Sequence, residues 1–240
     1  MRTLHAIALG CAVLATTYIP WAEPSRSQMT ASPGHETADP PGLSAIGKWM
    51  LTAQGVPSDW LGEVYQGKLL REPINVIIVD EAAESRDDAV VRLLVAAAKA
   101  GYPVRMGHSA GYQAVIGTEL YAQLPKGWDD AFSNEVFELS NNHGRIFGPH
   151  QLGQAYVFTG AFSRERVDPF RWPGHRYASF NQARDDFADR LDGTTTYEAS
   201  GFAELDNALS DDPARTTGDH DGRAVILRAS RSSSATQASP

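Results

Sequence analysis

The chain has 240 residues, with 29 acidic against 21 basic side chains and a formal net charge of -8. That balance disfavours nucleic acid as a partner, because a polyphosphate is gathered by a positive field. One cysteine, Cys11, rules out a disulfide framework, so the fold must rest on a hydrophobic core; residues 43–229 are long enough to build one.

At the start of the chain Arg2 supplies a positive charge, Leu4 to Leu14 form an apolar run, and small residues follow at Ala15 and Ala22. This is the layout of a secretory signal, and a run of about ten residues is too short to span a bilayer. Residues 1–22 are therefore expected to be a signal peptide or short anchor, and the protein to be exported to the periplasm or the exterior. Cys11, behind Ala8-Leu9-Gly10, leaves a lipoprotein anchor open as a second form of the same export reading. Residues 23–42, rich in Pro, Ser and Thr, read as a flexible linker, and residues 230–240 as a disordered tail of similar character.

Within 43–229, Ile74 to Val79 is an apolar, β-branched run broken only by Asn75, as in a strand covered on both faces. Ser85 and Asp88 form a capping pattern before a helix carrying Val90, Leu93, Leu94 and Ala97, stopped by Gly101. Asn142 to Phe147 and Ala155 to Phe162 read as paired strands joined by the turn-like Gly148 to Gly153. A second helix is expected from Phe180 to Leu191 with Ser179 as its cap, and a last strand from Gly222 to Ala229. The fold class expected is mixed α/β: a single domain in which helices cover a mixed sheet.

Gly107-His108-Ser109-Ala110-Gly111 fits the G-x-S-x-G pattern of serine hydrolases, which makes Ser109 an alternative nucleophile. Its feeding strand would be only Val104 to Met106. The preferred reading is a glycine-rich loop leading into a helix near Tyr112.

A denser set of polar residues lies downstream. His143 and Arg145 are two residues apart on an expected strand and so share a face. The partner strand ends in Ser163-Arg164-Glu165, and His175 and Arg184 follow. The order Ala100-Gly101-Tyr102, Asp130-Ala131-Phe132, His143-Gly144-Arg145-Ile146-Phe147, Phe158 to Glu165, His175, Ala183-Arg184-Asp185 resembles the C-terminal domain of LssY-like bacterial proteins over about residues 70–192. In that family the domain can be fused to a membrane phosphatase of the phosphatidate type. The resemblance therefore implies envelope or lipid-linked surroundings, without an established catalytic mechanism. The positions here that match it are His143, Arg145, Glu165, His175 and Arg184.

Three readings of this set stand open. In the first, Arg145 and Arg184 hold an anion such as phosphate or carboxylate, with His143 or His175 in proton transfer, and the candidate catalytic residues are His143, His175 and Glu165. In the second, His143, His175 and Glu165 form a metal triad, although no compact ligand motif is present and no metal is assigned. In the third, the charges form a structural network. The function expected is binding or hydrolysis of a small phosphorylated or lipid-derived anion in the envelope. Peripheral envelope association goes with that reading, and no cofactor or oligomeric state is identified. A serine hydrolase and a non-catalytic envelope interaction module are the alternatives.

Overall fold

The computed structural model of the chain describes residues 35–124, 130–170 and 174–231. The expected signal (1–22), most of the linker and most of the tail lie outside the described residues. In chain order the elements are β1 (Thr37–Ala38), β2 (Ile46–Gly47), β3 (Asp59–Tyr65), β4 (Lys68–Arg71), β5 (Val76–Asp80), α1 (Arg86–Lys99), β6 (Val104–Arg105), β7 (Gln113–Ile116), β8 (Glu119–Leu124), β9 (Ala131–Ser133), β10 (Asn141–Leu152), β11 (Ala155–Val167), β12 (His175–Ser179), α2 (Asn181–Thr194), β13 (Glu198–Glu204), β14 (Arg215–Thr216) and β15 (Arg223–Ala229).

Strand makes up 45% of the structure and helix 15%, and the main sheet curls into a nearly closed, barrel-like form. This corrects the expected mixed sheet covered by helices. Nine strands follow the order β1-β2-β7-β8-β10-β11-β5-β15-β13, with β12 added beside β11 and the pair β6-β9 beside β10. Among the described residues, only β15 and β5 run parallel in this sheet. A separate small sheet, β14-β4-β3, packs against one end through Trp60, Leu70, Tyr177 and Phe180.

The missed strands are mostly short, and two to four residues carry no periodicity to read. The expected helix near Tyr112 is instead the hairpin β7-β8, whose turn uses Gly117 at φ 64°. The first strand, Thr37–Ala38, falls inside the segment read as a linker and pairs with Ile46–Gly47. Ser85 does cap α1, accepting from the Asp88 N–H, and Ser179 accepts from Gln182 N–H ahead of α2.

The two faces of the sheet do different work. On the outer face, Val76, Ile78, Ile146, Phe158 and Phe162 pack under α1 and α2 with Leu93, Phe187 and Leu191. On the inner face, Ile77, Phe147, Val157 and Ala161 join Ile46, Met50, Ile116 and Leu205 inside the curl. Each large apolar side chain buried this way contributes about 1.5–3 kcal/mol. Asn75, the polar residue in the apolar run, continues the β5-β11 ladder with its side chain: Nδ2 donates to the Phe162 carbonyl and Oδ1 accepts from the Phe162 N–H. It thereby holds the register that faces the odd-numbered residues of β11 inward.

His220 is buried beside Asn207. Its Nε2 lies 2.8 Å from Asn207 Oδ1, while Asn207 Nδ2 donates to the carbonyls of Lys48 and Ile74. Burial pushes the His220 imidazole down to about 4, against Asp221 and Asp219, which raise it, and with Arg184, which lowers it. The folded chain refuses a proton that the unfolded chain accepts, so this group stabilises the fold fully above the ordinary histidine range. That stability is lost as pH falls from about 6.5 to about 4. Denaturant titrations should show stability falling across that window, and His220→Gln should flatten the fall by roughly one proton's worth of slope.

Candidate functional site

The long hairpin β10-β11 sets Asn141 opposite Glu165, His143 opposite Ser163 and Arg145 opposite Ala161. Alternation turns the odd-numbered members inward. The inner face of the hairpin therefore passes from an apolar stretch at Phe147, Val157 and Ala161 to a polar end at Arg145, His143, Ser163, Asn141 and Glu165. All five of these polar residues are buried. Arg164, next to Glu165, faces the other way and donates to Asn142 Oδ1.

Three further elements converge on that polar end. β12 brings His175, whose Nδ1 is 3.1 Å from Glu165 Oε1 but misaligned for a hydrogen bond. β3 brings Trp60, whose indole N–H donates to Ser163 Oγ at 3.1 Å. The loop 106–111 brings His108, stacked on His143 at 4.4 Å and flanked edge-on by Phe137. Gly107 makes this approach possible: its φ is 101°, and a Cβ there would come within 2.8 Å of Phe137.

Asn141 organises the centre. Its Nδ2 donates to Glu165 Oε1 at 2.7 Å and to the Leu139 carbonyl, so its oxygen is the acceptor facing His143 Nδ1 at 3.0 Å. The proton of His143 thus sits on Nδ1, and Nε2 carries the lone pair. Nε2 of His108 and Nδ1 of His175 are buried without a hydrogen-bond partner. His108, His143 and Glu165 present possible ligand atoms that all lie within 4.8 Å of one another.

Arg145 is 4% exposed and, among the described residues, takes part in no ion pair. One terminal nitrogen donates to the Ser109 carbonyl at 2.9 Å and hydroxyl at 3.2 Å; Nε has no partner, and the guanidinium lies 5.1 Å from the Tyr112 ring centre. The groups around it are held towards neutrality. Burial, then Arg145 and His175, pushes His108 down to about 3, and burial with the same guanidinium holds His143 well below its ordinary range. Burial also lowers His175. Glu165 is pushed up to about 7 by burial, against its Asn141 hydrogen bond and Arg145, and burial likewise raises Glu72 against the pull of Arg145 and Ser58.

Of the residues singled out from the sequence, His143, Arg145, Glu165 and His175 are gathered at this inner end, and Ser109 meets them through Arg145. Arg184 is elsewhere. It is 3% exposed and donates to Asp185, Asp221 and the Arg223 carbonyl, which ties α2 to the β13-β15 edge. His108, Asn141 and Glu72 were not anticipated. The sequence signal for His108 is its place beside Ser109 inside Gly107–Gly111.

The Ser109 environment is not that of a nucleophile elbow. The strand before it has two residues, a strand and not a helix follows, and Ser109 Oγ is bonded to the Tyr112 hydroxyl and to Arg145, not to a histidine. A fluorophosphonate probe should leave the folded protein unlabelled at Ser109; labelling lost in Ser109→Ala would reverse this assignment.

Fold and site together define a curled β-sheet protein whose inner polar end holds a buried histidine, glutamate and arginine cluster. No protein-family model, curated protein or solved structure matches the chain.

Proposed function

We propose that this chain is an exported protein that binds a small phosphorylated or lipid-derived anion, with Arg145 and Ser109 as the anchor for the anionic group. The observation that carries the reading is the Arg145 guanidinium, buried with no ion-pair partner and with its Nε unsatisfied. A buried charge left in that condition costs several kcal/mol, a debt that a bound oxyanion removes. Planar guanidinium donors suit the paired oxygens of phosphate or carboxylate. The neutral histidines beside it add polar, adaptable groups without competing negative charge. Of the two expected activities, binding has the stronger geometric support.

The apolar run at residues 4–14, read as an export signal, and the resemblance to LssY-like C-terminal domains support an envelope setting. No helix among the described residues is long and apolar enough to cross a membrane. Calorimetric titration with orthophosphate, glycerol phosphate and vesicles containing phosphatidate tests the proposal. Saturable uptake of at least one of them by the wild-type chain supports it, and absence of heat with all three overturns it. Binding of vesicles alone points to a lipid headgroup as the source of the anion, and binding of the free esters points to a soluble ligand.

A further inference from the structure

We propose that His108, His143 and Glu165, with His175 as a fourth donor, form a site for one divalent transition-metal ion of the zinc type. This inference rests on the anion reading, because it places the metal beside Arg145 and gives the anion a second point of attachment.

The donor set fits such an ion. Two imidazoles and one carboxylate have ligand atoms within 4.8 Å of one another, and a third imidazole nitrogen lies 3.1 Å from that carboxylate. In a tetrahedral zinc site with bonds of about 2.1 Å, neighbouring ligand atoms are about 3.4 Å apart. Side-chain shifts on the order of 1 Å therefore close the cluster around an ion. Nitrogen and carboxylate donors without thiolate suit zinc, cobalt and iron(II), not calcium or magnesium.

Unpartnered ring nitrogens point the same way, independently of proximity. His108 and His175, 4% and 6% exposed, each bury a ring nitrogen that has no hydrogen-bond partner, and both belong to this one cluster. Leaving such an atom without a hydrogen bond is costly, because its lost hydration is not replaced. A metal ion satisfies both nitrogens at once. Asn141 adds the outer support typical of ligating side chains: it accepts from Nδ1–H of His143 and donates to Glu165, orienting both.

Arg145 opposes a bare cation at this position. An anion that touches both the ion and the guanidinium relieves that repulsion, so metal and anion should each strengthen the other's binding by the same factor. A phosphate or carboxylate has enough oxygens to serve both.

The experiment uses the full chain, stripped with a chelator, loaded with zinc and freed of excess. Metal content is measured by mass spectrometry, and cobalt replaces zinc for absorption spectroscopy. One zinc per chain, visible cobalt bands of nitrogen-rich low-coordinate type, and loss of both in His108→Ala with circular dichroism unchanged are the expected results. Arg145→Met should still load zinc, while orthophosphate should tighten zinc binding to the wild type by about tenfold. Failure of the folded wild type to retain zinc or cobalt overturns the metal site, as does undiminished loading in His108→Ala. Phosphate binding by a chain that takes up no metal sinks the metal site and leaves the anion reading standing. Zinc uptake without any anion binding does the reverse.

Discussion

Replacing Arg145 with methionine is expected to cut affinity for the anionic ligand by at least about a hundredfold without lowering the stability of the ligand-free protein. Two charge-assisted hydrogen bonds of about 1.5–3 kcal/mol each are lost from the complex, and each 1.4 kcal/mol is a factor of ten in affinity. The ligand-free chain loses the Ser109 hydrogen bonds and the attraction of Arg145 for the buried carboxyls of Glu72 and Glu165, set against a buried Nε that has no partner. Methionine keeps an apolar stem beside Tyr112 and removes the buried charge. Substituting well-packed apolar groups for buried ions is often neutral or stabilising by about 1–4 kcal/mol. The two readouts together separate a binding arginine from a structural one. If Arg145→Met instead unfolds several degrees lower and the wild type gains no stability from phosphate or phosphate esters, Arg145 is a structural post.

Gly144→Ala is expected to destabilise the fold by about 3 kcal/mol or more, at the upper end of what overpacking costs. Gly144 lies between His143 and Arg145 on β10, and a Cβ there would fall 2.4 to 2.6 Å from three atoms of the Phe162 ring. The ring cannot withdraw, because it is stacked on Phe187 at 4.1 Å and meets Tyr102 edge-on. The alternatives are to lift the ring from the core or to bend β10 and turn the two inward-facing site residues out of place. Gly193→Ala is the matched control. That glycine lies inside α2 with nothing within 4 Å of its would-be Cβ, so alanine should stabilise by about 0.5–1 kcal/mol. Thermal melts of the two variants should therefore move in opposite directions.

The long elements were legible in the sequence because their patterns are local. The capped helix α1, the run Val76–Asp80 and the hairpin partners β10 and β11 all carry enough residues for a period to show. The barrel-like closure was not legible. It depends on pairs such as β2 with β7, joined at Ile46 and Ile116, and β6 with β9, joined by two residue pairs, and on the alternation of Phe147, Arg145 and His143 finding an inside to face. The site was half legible for the same reason. Side chains on one strand face, His143 and Arg145, could be paired by spacing, and Glu165 and His175 joined them through neighbouring strands. His108 arrives on a loop and Glu72 from the strand-edge segment before β5, and nothing local links either to the hairpin. Arg184 has the composition of a site residue, and only the position of Asp221 on another element shows where its charge is committed.

Under the proposed function, Arg145 is held buried without an ion-pair partner so that an anion can take its unsatisfied Nε–H. The most direct measurement is the ¹H–¹⁵N resonance of the Arg145 Nε–H, assigned by its loss in Arg145→Met and followed as glycerol phosphate is added. A single slowly exchanging signal that shifts downfield and saturates with one equivalent of ligand is the predicted result. A signal unmoved at saturating phosphate ester, or already shifted to the position of a carboxylate-bound guanidinium in the free protein, would contradict it.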